Sequence, residues 1–177
     1  MKPSHKKTIK LAIYTVICLF LFLLQTVPNP LIRIGVLRAE YLIPFCVALT
    51  LFDSAKTGAG FGLFGGLLLD MDSPLLFGLS ALFLLLVLYF AGEWIRTRLF
   101  KNLRNAIWLS ASLIIIYYLF IYTLTRLFLP GGTLLTGFLD YALPTALISL
   151  PGIIIVNWII RGLARRLVPE EINLTRS

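Results

Sequence analysis

Long apolar runs alternate along the chain with short clusters of charge, and the runs are too continuous to be the one-sided stripes of soluble helices. Residues 9–27, 75–92, 106–129 and 138–160 are apolar almost without a break. A helix crosses the ~30 Å hydrocarbon core of a bilayer with about 20 residues, so each of these runs predicts a spanning helix. Arg126 falls near the end of the third, where a long side chain can snorkel to the interface. Pro144 and Pro151 predict a bend in the fourth.

Residues 41–69 are harder to read, because Asp53, Lys56 and Gly58 interrupt them. One straight helix would bury both charges near its centre. Two pieces, 41–52 and 58–69, would each reach only about 18 Å. The tendency of Lys and Arg to stay on the cytoplasmic side separates the two readings. With two pieces the chain crosses six times, and all but Arg33, Arg38 and Arg126 of its 16 Lys and Arg residues share the inner side. With one piece the basic stretch after Gly92 and the basic tail both move outside. Residues 41–69 are therefore expected to enter and leave from the outer side, as two short tilted spans or as a re-entrant hairpin. Interrupted backbone at membrane depth is tolerated only where protein covers it, which places this segment inside the bundle.

The expected fold is all-α: a polytopic integral membrane protein forming one transmembrane domain, a six-helix bundle with a short Gly-rich central hairpin and both termini cytoplasmic. Lys2, Lys6, Lys7 and Lys10 before the first run resemble a signal peptide. That run is longer than the usual signal core and ends in Val27-Pro28-Asn29-Pro30 without a small-x-small cleavage site, so an uncleaved first span is expected.

Composition agrees: 59% of the 177 residues are apolar and 14% are charged, against about a quarter charged in soluble domains. The net charge of +8 does not indicate nucleic acid, because the cations flank apolar runs instead of forming one patch. Arg96, Arg98, Lys101 and Arg104, with Trp94 and Phe100, and then Arg161, Arg165 and Arg166 read as cytoplasmic membrane-surface charges facing anionic lipids. Cys18 and Cys46 lie inside apolar runs and read as buried, reduced thiols. His5 is the only histidine, so neither a zinc site nor any cofactor is expected.

Gly58, Gly62 and Gly66 recur every four residues, a stripe that lets another helix approach closely. No strand or βαβ unit surrounds it, so it is not a dinucleotide fingerprint. Asp70 continues the stripe and, with Asp72, Ser73 and Pro74, reads as a turn whose acid caps the next span. A metal-binding Asp70–Asp72 pair lacks a third ligand nearby. Arg126 and Asp140 fall near the outer ends of their spans, as an ion pair or as independent snorkelling side chains. Glu40 with Arg33 and Arg38 reads as solvated outer loop. No nucleophile–base arrangement, HExxH or Walker loop is visible.

The stretch Gly58-Ala59-Gly60-Phe61-Gly62-Leu63-Phe64-Gly65-Gly66-Leu67-Leu68-Leu69-Asp70, followed by Ser73-Pro74-Leu75-Leu76-Phe77-Gly78, resembles the MreD family of bacterial rod shape-determining membrane proteins. There a Gly-rich helix ends in Gly-Leu-x-x-Asp and a Pro/Gly turn leads into the next span. The length, the six-span layout, the short basic tail and Leu143-Pro144-Thr145 also fit. An Arg-Pro-Asp-like start to the second span is absent; Ala39-Glu40-Tyr41 stands there instead. The resemblance implies a non-enzymatic role in the elongation complex, in the inner membrane. MreC would be the direct partner, with MreB, RodA and a penicillin-binding transpeptidase in the wider assembly. It also implies likeness to the substrate-binding membrane subunits of energy-coupling-factor vitamin transporters. Two other functions stand beside the scaffold: a transporter substrate subunit using the acids Asp70, Asp72 and Asp140, and a lipid-modifying enzyme using Asp70 and Asp72.

Overall fold

The computed structural model describes residues 3–26, 33–34, 37–71, 77–98, 103–128 and 142–167. Among them are six helices: α1 (Pro3–Thr26), α2 (Leu42–Phe52), α3 (Ala55–Met71), α4 (Leu79–Arg98), α5 (Leu103–Phe128) and α6 (Leu143–Leu167). Two short antiparallel strands, β1 (Arg33–Ile34) and β2 (Leu37–Arg38), lie between α1 and α2, with Arg33 opposite Arg38 and Ile34 opposite Leu37.

Three helices carry a stretch long and apolar enough to cross a membrane: Thr8–Thr26, Arg104–Leu124 and Leu143–Leu163. The apolar parts of α2 and α4, Leu42–Phe52 and Leu79–Glu93, are shorter. The sequence pattern called for a fourth full-length run at 75–92. α4 has 20 residues and begins at Leu79, after Gly78 turns the chain at φ +95°, a conformation that glycine adopts without a Cβ clash. The described part of the last helix begins at Leu143; residues 138–141, where the sequence pattern starts that run, lie outside the described residues, as do 72–76 with Asp72 and Pro74.

The break inside 41–69 is confined to Asp53 and Ser54, whose N–H groups both donate to Leu49 O, at 3.0 and 3.1 Å. Ser54 then starts α3: its Oγ accepts the Thr57 N–H at 3.2 Å and its carbonyl accepts the Gly58 N–H at 2.9 Å, the bonds of an N-cap serine. Lys56 and Gly58 therefore lie inside α3, whose 17 residues reach about 26 Å, further than the 12-residue reading allowed.

Every residue of α2 is buried, as expected of a helix that is apolar all round. α2 packs against α3, α4, α5 and α6 and touches α1. Phe45 and Tyr14 both meet the Phe61 ring edge-on, with centroids 5.8 and 5.9 Å away.

Contacts fix the direction of each helix. Lys10 in α1 pairs with Asp53 after α2, while Gln25 at the far end of α1 bonds Glu40 before α2. The α2–α3 contacts run in reverse order, with Thr50 near Gly58, Cys46 near Phe61 and Leu42 near Gly65. So do those of α3 and α4, with Asp70 near Ser80, Gly66 near Ala81 and Ala55 near Gly92. Tyr118 of α5 and Ser149 of α6 meet at Glu40, and Ser110 meets Asn157. The helices thus alternate in direction, and α1 starts at the same end of the bundle at which α6 finishes.

Candidate functional site

Polar side chains are rare on these helices, so their locations define the sites worth weighing. Four groups emerge, two of them at the Glu40 end of the bundle.

The first group centres on Glu40, which is only 4% exposed. Its Oε2 accepts a hydrogen bond from Gln25 Nε2 at 2.7 Å and its Oε1 accepts one from Tyr118 OH at 2.6 Å. The Glu40 N–H donates to Ser149 Oγ at 2.8 Å, and the Tyr41 N–H donates to Gln25 Oε1 at 3.3 Å. This is a correction to the sequence reading, which put Glu40 in solvated loop. The carboxylate is buried because Gln25 of α1 and Tyr118 of α5 supply the donors that an isolated buried charge would lack. Ser149 is not poised as a nucleophile: its hydroxyl proton goes to Thr145 O at 2.7 Å while its oxygen receives the Glu40 N–H. Tyr41 lies against Gly152 of α6, where a Cβ would stand 2.6 Å from the ring's Cδ1. Glycine at 152 is thus required by close approach, which the sequence did not reveal.

The second group is Asp70 with the start of α4. Asp70 is 5% exposed. Its carboxylate accepts the backbone N–H groups of Gly78 at 2.9 Å, Ser80 at 3.1 Å and Ala81 at 3.3 Å. The Gly78 carbonyl accepts the Leu82 N–H at 3.0 Å, so Gly78 occupies the N-cap position of α4 and has no side chain to cap with. Asp70 performs that task from the neighbouring helix. In the last turn of α3 its charge opposes that helix's own dipole; at the first turn of α4 it is favoured. Ser80 Oγ is 2.9 Å from Tyr117 OH, which links the cap to α5.

At the opposite end, Lys10 Nζ donates to Asp53 Oδ1 at 2.6 Å. Among the described residues, Asp53 Oδ2 and the buried Tyr14 OH have no hydrogen-bond partner. In mid-bundle, Asn157 Nδ2 donates to Ile153 O at 2.8 Å and reaches Ser110 Oγ at 3.5 Å.

The glycine stripe divides between two helices. Gly58 faces α2, where a Cβ would stand 2.7 Å from Thr50 Cα; Gly62 and Gly66 face α4, at 2.6 Å from Leu88 Cδ1 and 2.6 Å from Ala81 N. The reason is geometric. Four residues overshoot one turn of 3.6 by about 40°, so the row winds from α2 towards α4 and delivers Asp70 to the start of α4. Gly65 adds to the α2 side, 3.5 Å from Cys46 Sγ. Cys18 and Cys46 are buried free thiols.

Of the other candidates, Arg104 is exposed and Arg161 partly exposed. Arg96 and Arg98 fall in the last turns of α4, and Arg165 and Arg166 in the last turn of α6; their side chains, like that of Arg126 in α5, are outside the described residues, as are Lys101 and Asp140 altogether. The proposed Arg126–Asp140 pair therefore lies outside the description.

These polar groups tie α1 to α2, α3 to α4, and α5 and α6 to the segment before α2. The family model for the rod shape-determining protein MreD matches residues 5–167. Nothing among curated proteins or solved structures matches the chain, and the transporter reading draws no support.

Proposed function

Because the chain belongs to the family of the rod shape-determining protein MreD, we propose that it is a non-enzymatic scaffold of the cell-elongation complex in the bacterial cytoplasmic membrane. In this reading it supports lateral peptidoglycan synthesis and rod shape by binding MreC, with MreB, RodA and a penicillin-binding transpeptidase in the wider complex. The family match over residues 5–167 carries the reading.

The use of the polar groups supports it. Glu40, Asp70, Ser80 and Ser149 are engaged in contacts that hold helices together, which leaves function to surfaces. Those surfaces are apolar: Leu147, Ile154, Ile155, Trp158 and Ile159 form an exposed row on α6, fit to face lipid or a single-span partner. Six crossings with both termini cytoplasmic is the topology we adopt, with α2 and α3 as the short inner pair. The alternating helix directions favour it, since they put Lys10, Lys56, Arg104 and Arg161 towards one end.

Depletion tests the role. Rods are expected to round into spheres, and purification in mild detergent is expected to recover MreC. Rods of unchanged shape after clean depletion would overturn the scaffold reading.

A further inference from the structure

Between α1 and α3 lies an open groove of about 460 Å³, whose walls include Leu11 of α1 and Lys56, Thr57, Gly60, Phe61 and Phe64 of α3. Residues 57, 60, 61 and 64 follow helical spacing, so they form one wall along α3. That wall is polar only at its start. Lys56 is exposed, and among the described residues the one salt bridge is Lys10–Asp53. That pair cancels its own charge and leaves Lys56 as the uncompensated cation at the groove's end. The first turn of α3 adds the positive end of its helix dipole at the same place. Further along, Gly60 is exposed with no atom within 4 Å of a Cβ built on it, so it leaves a channel past the Phe61 and Phe64 rings.

We propose that this groove binds one anionic glycerophospholipid, with its phosphate at Lys56 and an acyl chain laid along Gly60, Phe61 and Phe64 against Leu11. The groove's lining matches a lipid in shape and charge: it is apolar along Leu11, Gly60, Phe61 and Phe64, with the exposed cation Lys56 at the end where a headgroup would lie. Charge separates an anionic lipid from a zwitterionic one, because a cation near the bilayer surface attracts net negative headgroups. The site stands apart from the scaffold role, and either can fail without the other.

Native mass spectrometry of the full chain, released from detergent supplemented with phosphatidylglycerol or with phosphatidylcholine, tests the site. The wild type is expected to retain one phosphatidylglycerol in preference to phosphatidylcholine. Lys56→Gln is expected to lower that occupancy about five-fold, and Gly60→Leu, which fills the channel from an open position, to lower it at least as much. Ser112→Ala, at an exposed position on α5 outside the groove, is the control and is expected to change nothing. Equal retention of the two lipids, or full phosphatidylglycerol occupancy in Lys56→Gln, would overturn the proposal. So would a Gly60→Leu protein that keeps its lipid but no longer co-purifies with MreC, because the groove would then belong to a protein partner.

Discussion

Asp70 shows how one carboxylate can look catalytic in a sequence and be architectural in the fold. Three backbone N–H groups converge on it, and its burial makes each bond to the charged group worth more than a neutral one. Asp70→Ala is expected to lower stability by about 1–3 kcal/mol, because it leaves the first turn of α4 with unsatisfied donors. Asp70→Asn is expected to fall between Ala and wild type, since one amide oxygen replaces two acceptors. Thermal unfolding of the detergent-solubilised variants reads the order, and an Ala variant as stable as wild type would show that α4 is capped by something else. The Asp-then-turn pattern made this role legible in the sequence. Glu40 was not legible in the same way. It sits between two short strands and an apolar helix, among arginines, and nothing in that pattern says that Gln25 and Tyr118, from helices far away in sequence, will enclose it. A polar residue inside each apolar run, such as Gln25, Ser110, Ser149 or Asn157, was the available signal.

Helix packing raises the same contrast one level up. Glycine spacing announced close approach along α3, but not that the row divides between α2 and α4, nor that Gly92 and Gly152 serve the same purpose on other helices. Gly92 would place a Cβ 2.9 Å from Ala55 Cα; the need comes from a neighbouring helix, which no local pattern records. The environments predict a graded response to alanine. Gly60→Ala meets open space, so it gains helix propensity and is expected to stabilise α3 by about 0.5–1 kcal/mol. Gly62→Ala presses mainly on the flexible end of Leu88 and is expected to be mild. Gly66→Ala presses on the Ala81 backbone and Gly58→Ala on Thr50 Cα, so both force helices apart and are expected to cost about 1–3 kcal/mol. Melting temperatures and membrane abundance of the four variants check the order 60, 62, then 58 and 66. A uniform response would mean that these glycines matter for propensity and not for contact.

At the scale of the whole molecule, the two ends of the bundle differ in chemistry. At one end Glu40 and Asp70 are buried and enclosed by donors. At the other lie Lys10, Lys56, Arg104 and Arg161, and the last turns of α4 and α6 carry Arg96, Arg98, Arg165 and Arg166. The sequence pointed to this sorting through the positions of its cations. The folded chain reaches it by an independent route, through contacts that set each helix antiparallel to the one before. Two acids also lie at this end: Glu93 is exposed on α4, while Asp53 is buried against Lys10 and joins the α2–α3 turn to α1. Cations held back by the membrane potential and by anionic lipid set orientation, so the Lys10 end is expected to face the cytoplasm. A periplasm-active reporter such as alkaline phosphatase, inserted between β1 and β2, should be active. The same reporter between α4 and α5, or after α6, should be silent, and a cytoplasm-active reporter there should be bright. Because all six helices alternate, inverting any one reading inverts the neighbours as well. Alkaline phosphatase activity both between β1 and β2 and between α4 and α5 would require α2 and α3 to cross once together, against their antiparallel contacts.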